Sequence, residues 1–146
     1  MKSLAIHTAN ANPLTLQSYA RKKKLPFSTL KEKRTVTLEW IKENLAGTEI
    51  ENSGITIKLS WQGLKNDVAH HHGENVSKLH SFTVIDRIIK NAKYLDKEPD
   101  KHGNDRITFY KFYSKVKIKR NKFDVFIYLK GTEQGTAIYD HILFLE

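Results

Sequence analysis

From Arg106 to the end, the chain alternates apolar and polar residues in three successive runs, "RITFYKFYSKVKI", "FDVFIYLK" and "AIYDHILFLE". Only "KRNK" and "GTEQGT" separate them. A period of two is the pattern of a half-buried strand, and such short connections join antiparallel neighbours. A sheet of this kind must bury one face, so the upstream residues have to supply its cover. They contain helical signals. "TVTLEWIKENLAGTEI" predicts a helix starting near Thr35, with Thr37 as its cap. Leu38, Ile41 and Leu45 form its apolar stripe, and Gly47 its left-handed stop. "ENSG" reads as a turn, and "ITIKLSW" as a strand burying Ile55, Ile57, Leu59 and Trp61. "QGLKNDVAHHHG" predicts a short helix or turn. A longer helix follows, from Val76 or Thr83 to Tyr94, with Ile85, Ile88, Ile89, Ala92 and Leu95 inward. Thr83 and Asp86 have capping-box spacing. The expected architecture is α+β. Its helices pack on one face of a mostly antiparallel four-stranded sheet that ends in a three-stranded meander.

The 146 residues suit one core. No cysteine is present, which excludes disulfides and thiolate metal sites and fits a cytoplasmic protein. No apolar run approaches the ~20 residues that span a bilayer, so no membrane association is expected. The net charge is +9, unevenly spread. Residues 1–34 hold eight Lys/Arg and one acid, and read as a basic leader or linker. Residues 35–146 read as the single folded domain. Within it, Arg106–Lys122 holds seven basic residues and no acid, the mark of an anionic partner on one face.

Alternation sorts the strand residues into faces. Phe112, Ser114, Val116 and Ile118 belong to the core side, as do Phe123, Val125, Ile127 and Leu129. Lys111, Tyr113, Lys115 and Lys117 belong to the opposite, open side, with Phe126 and Tyr128. In the last run Ile138, Ile142 and Phe144 are expected inward, and Tyr139 and His141 outward. Lysines neutralise phosphates and aromatic rings stack on unpaired bases, so this face fits RNA. Tyr113, Lys115, Lys117 and Tyr139 are its expected contact residues, and Lys65, near the histidine cluster, is a further cation for the substrate. A charged face that guards exposed strands is the competing reading.

Four of the seven histidines lie in "DVAHHHGENVSKLH". His70, His71 and His72 lack the three- or four-residue helical spacing that meets one ion, so neither metal nor cofactor is expected. Imidazoles suit proton transfer instead. RNA cleavage without a metal requires an acid, a base and a cation against the developing phosphorane charge. His141 with His70 or His71 supplies the first two, and Lys111 the third. His80 reads as a packing residue. Three functions are weighed: a metal-independent endoribonuclease, a non-catalytic module that binds nucleic acid or protein, and a metal-dependent enzyme built on the histidine cluster.

The runs "TLEWIKENLAGTEIENSGITIKLSWQGLKN", "VIDRIIKNAKYL", "YKFYSKVKIKRNKFDVFIYLKG" and "IYDHIL" together resemble a domain of the large polyvalent proteins of phages and bacterial mobile elements. Such domains are similar to nucleases of the Barnase–EndoU–colicin–RelE group. The resemblance implies a helical layer on a four-stranded antiparallel sheet, and RNA cleavage through a cyclic phosphate. It also implies a toxin role, with an immunity protein or antitoxin as partner. It carries over His141 and Tyr139 from "YDH" and one histidine of "AHHHG".

Overall fold

The computed structural model describes residues 7–69, 76–99, 107–132 and 135–145. The elements run β1 (Thr8–Ala11), α1 (Leu14–Lys23), α2 (Leu30–Asn44), β2 (Glu49–Asn52), β3 (Ile55–Lys58) and α3 (Trp61–Ala69). Then come α4 (Val76–Ser81), a 3₁₀ turn (Phe82–Val84), α5 (Ile85–Lys90), β4 (Lys93–Pro99), β5 (Thr108–Ile118), β6 (Asn121–Gly131) and β7 (Thr136–Leu145).

The fold is α+β, but the sheet differs from expectation. Among the described residues it has seven strands in the order β1-β5-β6-β7-β3-β2, with β4 also paired to β5, and it curls into a half-barrel. Two of its junctions are parallel, β1 with β5 and β3 with β7. The four-stranded antiparallel sheet closed by a three-stranded meander is therefore incorrect. β5, β6 and β7 are the middle of a larger mixed sheet. Three strands escaped the pattern because they are short or polar: "TANA", "EIEN" and "KYLDKEP". Apolar alternation cannot reveal a strand whose side chains are mostly in water.

The first 34 residues also have structure from Thr8 onward. β1 lies alongside β5, and Ala9, Ala11, Leu16 and Ala20 are buried in the common core. The position 34/35 falls inside α2. That helix starts at Leu30 rather than near Thr35, and its cap is Thr29 rather than Thr37. Thr29 Oγ1 accepts from the Glu32 N–H (3.1 Å), and Glu32 Oε1 accepts from the Thr29 N–H (2.9 Å), a complete capping box. Thr37 is buried and donates to the Lys33 carbonyl.

The turn read in "ENSG" is the tip of a hairpin. Glu51 and Asn52 belong to β2, and Ser53 and Gly54 make the bend with φ of 55° and 77°. Two left-handed residues in a row suit the twist of the flanking strands. The Asn52 side chain donates to the Ile89 and Ala92 carbonyls, tying this hairpin to the end of α5. The long helix expected up to Tyr94 is broken into α4, the 3₁₀ turn and α5, and stops at Lys90. Thr83 donates to the His80 carbonyl and caps nothing. Leu95 is not a core residue: it is exposed, at a register shift in β4.

Phe112, Val116, Val125, Ile127 and Leu129 form the sheet side of the core. Leu16, Ile41, Leu64, Phe82, Ile85 and Ile88 come from the helical side. Trp61 is only partly buried and opens α3 rather than ending β3.

Candidate functional site

β5, β6 and β7 present a side that the core does not cover. Register sets its side chains in cross-strand rows. Lys111, Tyr128 and His141 face one another across the three strands, and Tyr113, Phe126 and Leu143 form the next row. Cross-strand neighbours are close enough to interact. The Tyr128 and His141 rings stack, with centroids 4.6 Å apart and planes 9° from parallel. The Lys111 ammonium lies 5.6 Å from the Tyr128 ring centre and 5.2 Å from that of Phe126, both cation–π distances. The Glu98 carboxylate stands 3.8 Å from the same ammonium. The Tyr113 hydroxyl donates to Asp124, and burial, with this carboxylate, pushes its pKa up to about 12. Lys115 stands opposite Asp124 and is half-buried, whereas Lys117 is exposed opposite Lys122.

His141 has a built environment. Its Nδ1 lies 2.6 Å from Asp140 Oδ2, on a neighbour that orients the ring. Both side chains remain more than two-fifths exposed. A carboxylate beside one ring nitrogen leaves the other available for proton transfer or a ligand.

Tyr139 does not join this face, contrary to its expected place. The ladder between β6 and β7 shifts register, pairing Tyr128 with His141 but Leu129 with Tyr139. Asp140 is the extra residue, a β-bulge. It reverses the parity of the strand, so Tyr139 turns inward at 1% exposure while His141 stays out. Ile142 is then buried, and Ala137 replaces Ile138 on the inner side.

Inside, the Tyr139 hydroxyl donates to Asp67 Oδ2 at 2.5 Å. Asp67, on α3 and 2% exposed, also accepts from the Ile142 N–H at 3.1 Å and pairs with the Lys78 ammonium at 2.8 Å. Burial and the nearby Asp67 carboxylate hold the Tyr139 phenol well above its usual pKa. This network joins α3, α4 and β7. Gly63 lets α3 come that near: a Cβ there would stand 2.1 Å from the Tyr139 carbonyl oxygen. Sequence reasoning missed Asp67 and Lys78 as partners. For Asp67 the signal existed, because it lies between Leu64 and Val68 on the buried stripe of α3. Nothing in the sequence marks Lys78.

A pocket of about 370 Å³ opens between α3, α4 and the outer edge of β7. Gly63, Asn66, Asp67 and Lys78 line it from the helices, and Asp140 to Phe144 from the strand. β3 covers that edge only from Thr136 to Ile138.

Lys65 is exposed on α3. His70, His71 and His72 lie outside the described residues. His80 is buried, and its pKa is lowered by desolvation and then by Lys33 and Lys119. Among the described residues, no three or more His, Asp or Glu are placed to hold a metal ion. Among them also, no helix is long and apolar enough to cross a membrane.

No curated protein and no solved structure matches the chain. The family model of large polyvalent protein-associated domain 3 matches residues 28–139, from the capping box of α2 to Tyr139 in β7, one residue before the bulge. That span includes most of the mixed sheet, the Asp67–Lys78–Tyr139 network and the Lys111–Tyr128 pair, and on it the chain belongs to the large polyvalent protein-associated domain 3 family.

Proposed function

We propose that the open face of β5, β6 and β7 binds single-stranded RNA. The observation that carries this reading is the row Lys111–Tyr128–His141, a cation beside two stacked rings on a partly exposed face. Phosphates meet the lysines, and unpaired bases stack on the aromatic groups. Lys115, Lys117 and Lys122 extend the positive surface along the strands. Titration of a fluorescent oligoribonucleotide at several salt concentrations tests it. The expected result is an affinity that falls linearly in log–log salt. Lys111→Ala lowers that slope by about one and Tyr128→Ala costs about 1–3 kcal/mol. Salt-independent binding, or no binding, refutes the reading.

A second reading is that the same face cleaves RNA without a metal. The close pairing of Asp140 with His141 favours it, because an oriented, accessible imidazole is what a general acid or base requires. Lys111 would then stabilise the phosphorane, and His70 or His71 would be the second proton-transfer group. This is the activity of the nucleases the sequence resembles, where an immunity protein or antitoxin would cover the face. Incubation with RNA in EDTA, beside His141→Ala, separates the readings: cleavage by the parent alone supports catalysis, and binding without cleavage leaves the face a binding surface.

A further inference from the structure

We infer that Glu98 is an intramolecular competitor for the phosphate site at Lys111: its carboxylate rests where a phosphate oxygen of the strand would lie, and RNA displaces it on binding. This deepens the RNA-binding reading and rests on it.

Register explains how Glu98 reaches that place. β4 lies alongside β5, with Asp96 directly opposite Lys111 and Glu98 opposite Phe109. Phe109 and Lys111 alternate onto the open face, so Asp96 and Glu98 stand on it too. Asp96 is the nearer residue in the ladder, yet its Oδ1 accepts from the Lys97 N–H at 2.7 Å. Glu98, longer by one methylene, crosses diagonally and brings Oε1 to 3.8 Å from the Lys111 ammonium. Long side chains can span such a diagonal.

The ammonium is therefore approached from two sides. The Phe126 and Tyr128 rings hold it over β6, and Glu98 stands on the β4 side. A phosphate bound to Lys111, with its base stacked beside Tyr128 and His141, meets that carboxylate, and like charges at this range repel. The free protein thus keeps its best-placed cation partly neutralised.

The contact is weak enough to yield. At 3.8 Å it exceeds hydrogen-bond length, and the two side chains are 27% and 36% exposed. An exposed ion pair of that kind contributes little in water. A strand held at the same time by Lys115, Lys117 and Lys122 presents its next phosphate at high local concentration, and so outcompetes a single carboxylate. A lone nucleotide has no such help. Glu98 therefore biases the face toward longer strands.

The test is fluorescence anisotropy of a labelled oligouridylate titrated with the full chain at fixed low salt. Glu98→Gln keeps the shape of the side chain and removes its charge. It should tighten binding about two- to five-fold, the strength of an exposed pair. Asp96→Asn makes the same charge change opposite Lys111 but away from its ammonium, and should tighten binding less. In a Lys111→Ala background the gain from Glu98→Gln should shrink to the level of Asp96→Asn, because no ammonium is left to free. A Glu98→Gln affinity equal to or below the parent's would overturn the inference and leave the RNA-binding reading standing. So would a gain that Asp96→Asn matches, or one undiminished by Lys111→Ala, since either marks a general effect of charge. No binding by the parent or by Glu98→Gln would overturn both.

Discussion

Replacing Asp67 by Asn keeps the shape of the side chain and removes its charge. The carboxylate is 2% exposed and holds three donors at once: the Lys78 ammonium, the Tyr139 hydroxyl and the Ile142 N–H. In the variant, Lys78 becomes an uncompensated cation in the interior. Removing one partner of a buried ion pair costs about 3–5 kcal/mol. Domains of this kind are stable by roughly 5–15 kcal/mol, so the loss consumes a large share of the total. The reverse change, Lys78→Met, should cost less, about 3 kcal/mol at the low end of that range, since the carboxylate loses its counter-charge but keeps two donors. Urea unfolding followed by fluorescence measures both. At a slope of about 2 kcal/mol per molar, Asp67→Asn lowers the midpoint by about 2 M and Lys78→Met by about 1.5 M. A loss below about 1 kcal/mol for Asp67→Asn, or a larger loss for Lys78→Met, would refute the reasoning about the uncompensated charge.

Tyr139→Phe tests the same network by pH. The folded phenol has a raised pKa, so its contribution is complete below the unfolded value near 10 and is lost as pH rises further. The parent should lose up to about 1.4 kcal/mol per pH unit above 10 through this group, and the variant correspondingly less, measured by urea unfolding across the alkaline range. Gly63→Ala drives a methyl group onto the Tyr139 carbonyl and should cost about 3 kcal/mol by the same assay. Thr29→Ala removes one half of the capping box and should cost about 1 kcal/mol. Glu32 is held down to about 2, chiefly by the Thr29 N–H, so its stabilising effect should persist above the ordinary carboxylate range and fade as pH falls toward 2, read by acid titration of helical circular dichroism.

Much of the core was readable in advance. Phe112, Val116, Val125, Ile127 and Leu129 alternate in long strands, and Ile85, Ile88 and Ile89 recur at helical spacing. The rest was hidden for definite reasons. β1, β2 and β4 owe their existence to their strand partners, and their own residues carry little apolar signal. The basic run before Thr35 looks like a solvated tail until Thr29 and Glu32 are recognised as a capping box. Of the candidate site, Lys111, Tyr113, Tyr128 and His141 follow from simple alternation. Tyr139 does not, because alternation assumes an unbroken ladder and Asp140 breaks it.

That single inserted residue also separates two kinds of constraint. Tyr139 and His141 are two positions apart, yet one answers to the interior and the other to the solvent. A change at His141 leaves the anchor beneath it undisturbed, and a change at Tyr139 can loosen the fold while the surface chemistry keeps its composition. The outward side of β7 can thereby be changed without touching the core, provided the bulge is kept.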